Sequence, residues 1–465
     1  MSGLEISEIL LNETTLNKDF RIDSAFYTTQ LKRNHSLKYA IIGDCLINSQ
    51  YGISISMNEE KIGYPIYRMN EIHNMLCDLT VDKYADIHPF DFEVFKLNSG
   101  DVLFNRTNSY EWVGRTGVYY PNNEATPMIF ASYLVRFVPN HSMINSEYLS
   151  AFLSCKYGIS EIRRRARQSI NQTNVNPEEV KEIKIPLLNS DLQKAIKRNF
   201  IEAHELRLES EEQYSSAESI LLSALNMNNF TPSNEPVAVK SLSEGFGVSG
   251  RLDAEYYQAK YEDYENALKT SHSVIGLCTI HEGVFLPKKG DYKYIELADI
   301  GSSGNITGCT IAPFDELPSR ARRLVRSGQV IVSSIEGSLS SCALVTDDYD
   351  GAICSTGFYV VDSTVINSET LLILFKSEPI QALMKKRCSG TILTAISKHA
   401  LETMPFPLID RSIQQQISDL VQHSFDLRRQ SEQLLETAKR AVEFAIEDGE
   451  DKSLKLLGVK EVCFT

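Results

Sequence analysis

Little in this chain marks an enzyme, a membrane protein or a secreted one. No apolar run approaches the roughly 18 residues that would suggest a membrane-spanning helix. The opening residues, Met1-Ser2-Gly3-Leu4-Glu5, lack the basic and then apolar pattern of an export signal, so a cytoplasmic protein without membrane contact is expected. Its 9 cysteines, from Cys45 to Cys463, are scattered and include no Cys-x-x-Cys pair. Zinc ligands come in tight pairs, so buried reduced thiols are expected and no metal. There is no Gly-Lys-Ser/Thr phosphate loop and no His-Glu-x-x-His, and the 9 histidines form no triad. The absence of any Pro-Pro dipeptide excludes the Asn/Asp-Pro-Pro-aromatic tetrapeptide of amino-methyltransferases. Two lookalikes remain. Gly245 to Gly250 spells Gly-x-Gly-x-x-Gly but follows no strand, so a flexible turn is expected there. Glu182-Ile183-Lys184 resembles half of a nuclease metal motif without its Pro-Asp partner, and reads as an exposed turn before a strand. No catalytic residue is assigned.

What the chain does have is the same module twice. Arg21-Ile22-Asp23-Ser24-Ala25-Phe26-Tyr27 returns as Arg251-Leu252-Asp253-Ala254-Glu255-Tyr256-Tyr257. Ser99-Gly100-Asp101-Val102-Leu103-Phe104 returns as Ser327-Gly328-Gln329-Val330-Ile331-Val332, and Asn145-Ser146-Glu147 as Asn367-Ser368-Glu369. Strands ending at Pro186-Leu187 and Pro407-Leu408 close the two copies, and a long helix follows each. A duplicated unit implies pseudo-twofold symmetry within one polypeptide. Each module reads as α+β, with short strands such as Val102–Phe104 and Tyr133–Phe137, matched by Val330–Val332 and Phe358–Val361. One helix is expected from Ser146 to Arg167 and its mate from Ser368 to Arg387.

The closing helices carry the strongest local pattern. Leu192, Ile196, Asn199, Ala203, Leu206, Ser210, Gln213, Ala217, Ile220 and Ala224 alternate steps of four and three. Ile413, Ile417, Leu420, Ser424, Leu427, Ser431, Leu434, Ala438, Ala441 and Ala445 repeat that phase. This is the seam of a coiled coil, and the natural partner of each helix is the other, antiparallel to it. The expected boundaries are a first domain at 1–188, a helical spacer at 189–228, a linker at 229–250, a second domain at 251–409, a second spacer at 410–449 and a tail at 450–465.

Net charge is −14, which taken alone argues against nucleic acid. Placement matters more than the sum. Acid is loaded on the first long helix at Glu202, Glu205, Glu209, Glu211, Glu212 and Glu218, whereas arginines and lysines cluster on the modules. The stretch from Asn105 to Gly117 offers Asn105, Arg106, Ser109, Tyr110 and Arg115, and the stretch from Arg163 offers Arg163, Arg164, Arg167, Gln168, Asn171 and Gln172. Arginines hold phosphates or guanine and amides read adenine, so these are candidate DNA contacts. Their counterparts in the second copy are Ser334, Ser338, Lys385, Lys386, Arg387 and Thr391.

The segments Gly100-Asp101-Val102-Leu103-Phe104-Asn105-Arg106-Thr107 and Val113-Gly114-Arg115-Thr116-Gly117, the Arg251 to Tyr257 opening and the Ile-x-Ile-Pro-Leu strand together resemble the specificity subunit of type I restriction–modification systems. The second copy departs from that pattern, with Ser333-Ser334-Ile335-Glu336 in place of Asn105-Arg106-Thr107. The resemblance implies two mixed α/β target-recognition domains joined by two long antiparallel coiled-coil helices, binding duplex DNA at a bipartite, asymmetric site. It implies two methyltransferase subunits docked on the helices, for which Ile196, Leu206, Ile417, Leu427 and Leu434 are the candidate contacts, and restriction subunits beyond them. No cofactor is expected on this chain; S-adenosylmethionine, ATP and magnesium would sit on the partners. Two other readings stay open: a single-chain DNA methyltransferase or nuclease, and a coiled-coil scaffold without DNA binding.

Overall fold

A computed structural model describes residues 8–15, 22, 26–27, 34–122, 127–170, 172–235, 237–268, 270, 272–281, 283, 285, 288–390 and 393–459. The chain divides into two compact units, Met1–Leu208 with Arg428–Thr465, and Glu209–Leu427. The two long helices, Ser190–Ala224 and Arg411–Asp448, are unbroken by glycine or proline, and each unit includes a stretch of both. Asn189 caps the first, its Oδ1 accepting from Leu192 N at 2.8 Å.

The same four-stranded antiparallel sheet lies at the centre of each unit. In the first, Leu46–Tyr51, Leu134–Pro139, Val102–Asn105 and Thr116–Val118 lie in that order, extended by the hairpin of Leu76–Cys77 and Ile72–His73. In the second, the order is Thr279–His281, Phe358–Asp362, Val330–Ser333 and Cys342–Leu344. Gly100 and Gly328 open the equivalent strands at φ +89° and +83°, a left-handed backbone that glycine adopts without steric cost.

One expectation needs correction. The segment from Ser146 to Arg167 is not one helix but two, Ser146–Ser154 and Lys156–Arg165, broken at Cys155 (φ −76°, ψ 166°). The second copy breaks at Ser377 (φ −64°, ψ 144°), between Ser368–Lys376 and Glu378–Arg387. The causes differ. In the second copy Pro379, in the first turn of the new helix, has no N–H to continue the old one. In the first copy the chain approaches itself so closely that a Cβ on Gly158 would lie 2.1 Å from Phe152 O.

The seam assigned from the heptads faces inward, but it does not serve as a surface for partners. In the first unit Ile196, Ala203, Ala438, Ala441 and Ala445 are buried in one core, and Ser431 Oγ donates to Ala203 O at 2.7 Å. In the second unit Ser210 and Ser424 each donate to the other's backbone carbonyl, at 2.9 and 2.8 Å. Small residues at these positions let two helix backbones meet directly. Ala224, assigned to the seam, is exposed instead, while Leu221 outside it is buried. Ile196, Ile417 and Leu427 are thus buried inside the units, and Leu206 and Leu434 are half-buried. Ile196, Ile417 and Leu427 therefore cannot form the docking surface expected of them.

Each module is fastened to its long helix by a buried amide that the sequence pattern did not reveal. Gln193 Oε1 accepts from Asn145 N at 2.9 Å, its Nε2 donates to Met143 O and Leu188 O, and its carbonyl accepts from Asn145 Nδ2 at 2.8 Å. Asn145 in turn caps the Ser146–Ser154 helix, accepting from Tyr148 N, while Ser146 Oγ donates to Gly100 O. The second unit repeats every bond, with Gln414 on Asn367, Val365 and Ile409, Asn367 capping at Thr370 N, and Ser368 Oγ on Gly328 O. The tail beyond Gly449 also has a structural role. Its helix Glu450–Leu456 lies by the start of the first long helix, Glu450 accepting from Asn189 N at 2.5 Å, and Leu457 joins the first unit's core.

Removing such a clip strands two carbonyls and an amide in the protein interior. Gln193→Ala should cost the first unit about 1–3 kcal/mol, and Gln414→Ala the second. Hydrogen exchange checks this: the Asn145 or Asn367 amide should lose protection in the altered unit and keep it in the other.

A candidate nucleic-acid interface

The two polar stretches singled out in the first copy, far apart in sequence, meet in space. Past Asn105 the chain makes a short strand, Thr107–Asn108, which pairs with Thr173–Asn174, which pairs with Arg167–Gln168. Thr107 Oγ1 donates to Asn174 Oδ1 at 2.6 Å across this three-stranded rim. The turn beyond it is held by Gly114 (φ +87°), where a Cβ would strike Ile162 Cγ2 at 2.6 Å. That contact sets the loop against the end of the Lys156–Arg165 helix.

Exposed Tyr110, Trp112 and Arg163, with half-buried Arg115 behind Trp112, give this loop and helix an aromatic and cationic surface. The Arg115 guanidinium lies 3.1 Å from the ring centre of Trp112, and Arg163 lies 5.5 Å from that of Tyr110. Trp112 and Tyr110 are 45% and 42% exposed, high for large aromatic side chains. Burial pulls the Arg115 pKa down to about 10, which leaves it charged at neutral pH. Trp112 was not among the expected contacts. It is the sole tryptophan of the chain, and that rarity was the available signal. Ser109, Gln168 and Gln172 are exposed on the same elements.

Other expected residues are engaged by the fold to different degrees. Asn105 is buried, its Nδ2 donating to Met69 O at 3.0 Å and its backbone closing on Arg115 and Gly114, so it braces the loop. Arg106 is half-buried beside Tyr51, 5.4 Å from its ring centre. Arg164 packs 4.4 Å from the ring centre of Phe26 and pairs with Glu161 at 3.2 Å; Arg167 pairs with Glu179 at 2.7 Å but stays exposed on the rim strand. Asn171 and Thr391 lie outside the described residues.

The second unit repeats the rim's backbone without its side chains. Cys388–Ser389 pairs with Ala395–Ile396, and Ala395 bridges to Ile335. The hydroxyls of Ser334 and Ser338 are spent on Gly357 O and Ser333 Oγ, at 2.8 and 3.0 Å. Of the basic run only Lys385 is exposed. Lys386 and Arg387 both reach Glu265, at 2.8 and 2.9 Å, and so tie the Ala259–Leu268 helix to the module. In the second copy the Arg-Leu-Asp opening has a structural role. Arg251 Nη2 donates to Cys388 O at 2.9 Å and Nη1 to Lys386 O, a cation satisfying the carbonyls at a helix C-terminus.

The Gly245–Gly250 lookalike is a four-residue helix, Phe246–Ser249, ended by Gly250 in the left-handed region, with no strand before it. Of the cysteines, Cys45, Cys77, Cys155, Cys278, Cys342, Cys354 and Cys388 are buried thiols, and burial pushes those of Cys155 and Cys354 up to about 12. Among the described residues no His, Cys, Asp and Glu gather as a metal site would require.

No family model matches the chain. It is 32% identical over 146 residues to a protein of Methanocaldococcus jannaschii described as the MjaX specificity subunit of a type I restriction enzyme. The match takes in 31% of this chain and 34% of the other, so the chain aligns with about a third of that relative's length. The chain resembles a type I specificity subunit. Solved structures similar to it include the S subunit of a type I system from M. genitalium (14% identity, TM-score 0.36, 92% of this chain and 98% of that one). Another is the HsdS subunit of Thermoanaerobacter tengcongensis (14% identity, TM-score 0.30, 90% and 98%). At those identities and scores neither assigns a role to any residue.

The Lys386–Glu265–Arg387 contact is testable by pH. Burial raises the Glu265 pKa, but Lys386 and Arg387 outweigh it and hold the carboxyl below its ordinary value of 4.5. The contact's stabilisation is therefore present above pH 4.5 and is lost as pH falls through the lowered value. Glu265→Gln should destabilise the second unit by about 1.5–3 kcal/mol at neutral pH and flatten this region of the acid profile. Lys385→Ala should change stability by no more than about 0.5 kcal/mol, with thermal melting as the measurement.

Proposed function

We propose that this chain is a non-catalytic, sequence-specific subunit of a type I restriction–modification complex that binds duplex DNA at a bipartite, asymmetric site, one unit per half-site. The observation that carries this reading is the repeated three-element rim, set in both units beside the end of the same broken helix pair. In the first unit the exposed cations and amides of that rim suit phosphates and base edges. In the second, Lys385 and the exposed Arg320 and Arg322 supply the charge.

In this reading two methyltransferase subunits dock on the outer faces of the long helices, where Glu202, Glu205, Glu209 and Glu212 are exposed, and restriction subunits join the complex. Acid on those faces then meets protein, not phosphate, which accommodates the net charge of −14. S-adenosylmethionine, ATP and magnesium belong to the partners. The complex would work in the cytoplasm; among the described residues no helix is long and apolar enough to cross a membrane.

The helices would act as a ruler. Adding one four-residue turn to each should lengthen the spacer by about 6 Å, widening the unread gap in the recognised site by one or two base pairs. The measurement is a map of methylated adenines in cells carrying the lengthened chain together with its neighbours. An unchanged gap would sink the ruler. Exchanging residues 251 to 408 for another recognition domain should change one half-site alone, and a change in both would count against one unit per half-site.

A further inference from the structure

Where the rim of the first unit leaves the central sheet, two residues stand opposite one. Asn105 N donates to Arg115 O and Gly114 N donates to Asn105 O, each at 2.8 Å, while Phe104 and Thr116 still pair one to one. With Gly114 at φ +87°, this is a β-bulge opened by a left-handed glycine, a device that re-aims the side chain after it. Here that side chain is Arg115.

The bulge delivers a guanidinium that the fold barely uses. Its carbon lies 3.1 Å from the ring centre of Trp112, too close for a nitrogen to point at the ring, so the two planes lie flat on each other. A stacked guanidinium keeps its N–H groups in its own plane, free to donate at the edge. Nη1 donates to Ile72 O at 3.4 Å, a long bond, and the other N–H groups meet no acceptor among the described residues. Asp78, just past the hairpin that carries Ile72, pairs instead with His73 and Arg207. A half-buried cation with idle donors is costly unless a partner arrives from outside.

The second unit lacks this device. Strand pairing places Ser333 where the first unit has Asn105 and Ser341 where it has Arg115. Ser340, in the place of Gly114, is not left-handed.

We propose that Arg115 reads a guanine in the half-site bound by the first unit, its free edge donating to O6 and N7 in the major groove, and that Trp112 is the positioning residue that fixes its plane. The inference rests on the DNA-binding reading above and deepens it by naming a base. A fork held in one plane suits the two coplanar acceptors of guanine. Phosphates demand no such plane and fall to exposed cations such as Arg163.

The test uses the full chain co-purified with its neighbours. Duplexes are selected from a random-sequence pool by the wild type and by Arg115→Lys, which keeps the charge but cannot donate as a fork. At one position of one half-site the wild type should require a guanine that the variant no longer requires, with every other position unchanged. Replacing that guanine with 7-deazaguanine, which lacks the N7 acceptor, should weaken wild-type binding about tenfold and binding by Arg115→Lys less than about twofold. Trp112→Phe keeps a ring to stack on and should keep the preference for guanine, whereas Trp112→Ala should reduce it; an unchanged preference in Trp112→Ala would overturn the positioning role. The reading of guanine is overturned if the two selected pools agree, even where the variant binds all duplexes more weakly, as loss of a phosphate contact would have it. Should Arg115→Lys fail to fold, wild-type binding that is indifferent to 7-deazaguanine at every guanine of its site overturns the proposal equally. If the wild type enriches no duplex, the DNA-binding reading itself falls, and this one with it.

Discussion

The architecture depends on a constraint that is easily missed: a buried amide must find partners on every side. Gln193 and Gln414 each sit on a long helix and satisfy three backbone groups of the module beside it, and the capping asparagine returns a bond to the helix. Such a group is costly to leave unpaired, so it fixes the rotation and the register of the helix against the module at once. Apolar packing alone would tolerate a small slide; four directional bonds do not. The duplication is thus visible at the level of individual hydrogen bonds, in regions of the chain where the side chains have otherwise diverged.

The sequence revealed those features of this fold that depend on periodicity. Heptad spacing located the seam because helix packing imposes it residue by residue, and Ser210, Ser424 and Ser431 fall within it. The glutamines escaped notice because they lie outside that phase and their partners are backbone atoms, which leave no trace in sequence. Asn105 misled for a related reason. Its polarity suited a contact surface, but it ends a buried strand, and its amide bonds to a carbonyl 36 residues away in the chain. Lys386 and Arg387 read as a basic patch until Glu265, distant in sequence, was seen to hold them.

The two units have kept their backbone and changed their surface. One rim carries tryptophan, tyrosine and arginine; the other carries serines turned inward. The four central strands and the clips do not differ to match. A scaffold fastened this firmly lets its loops vary without disturbing the fold, because the residues that hold each module together are almost separate from those it exposes.

The bend between the paired helices illustrates this separation most clearly. One copy makes it with a glycine that admits a close carbonyl, the other with a proline that cannot extend the preceding turn. Two unrelated chemical devices thus leave the same extended backbone at one joint. A chimaera joined at Cys155 or Ser377 would therefore find that conformation waiting in either parent, and the break is a natural crossover point inside each module.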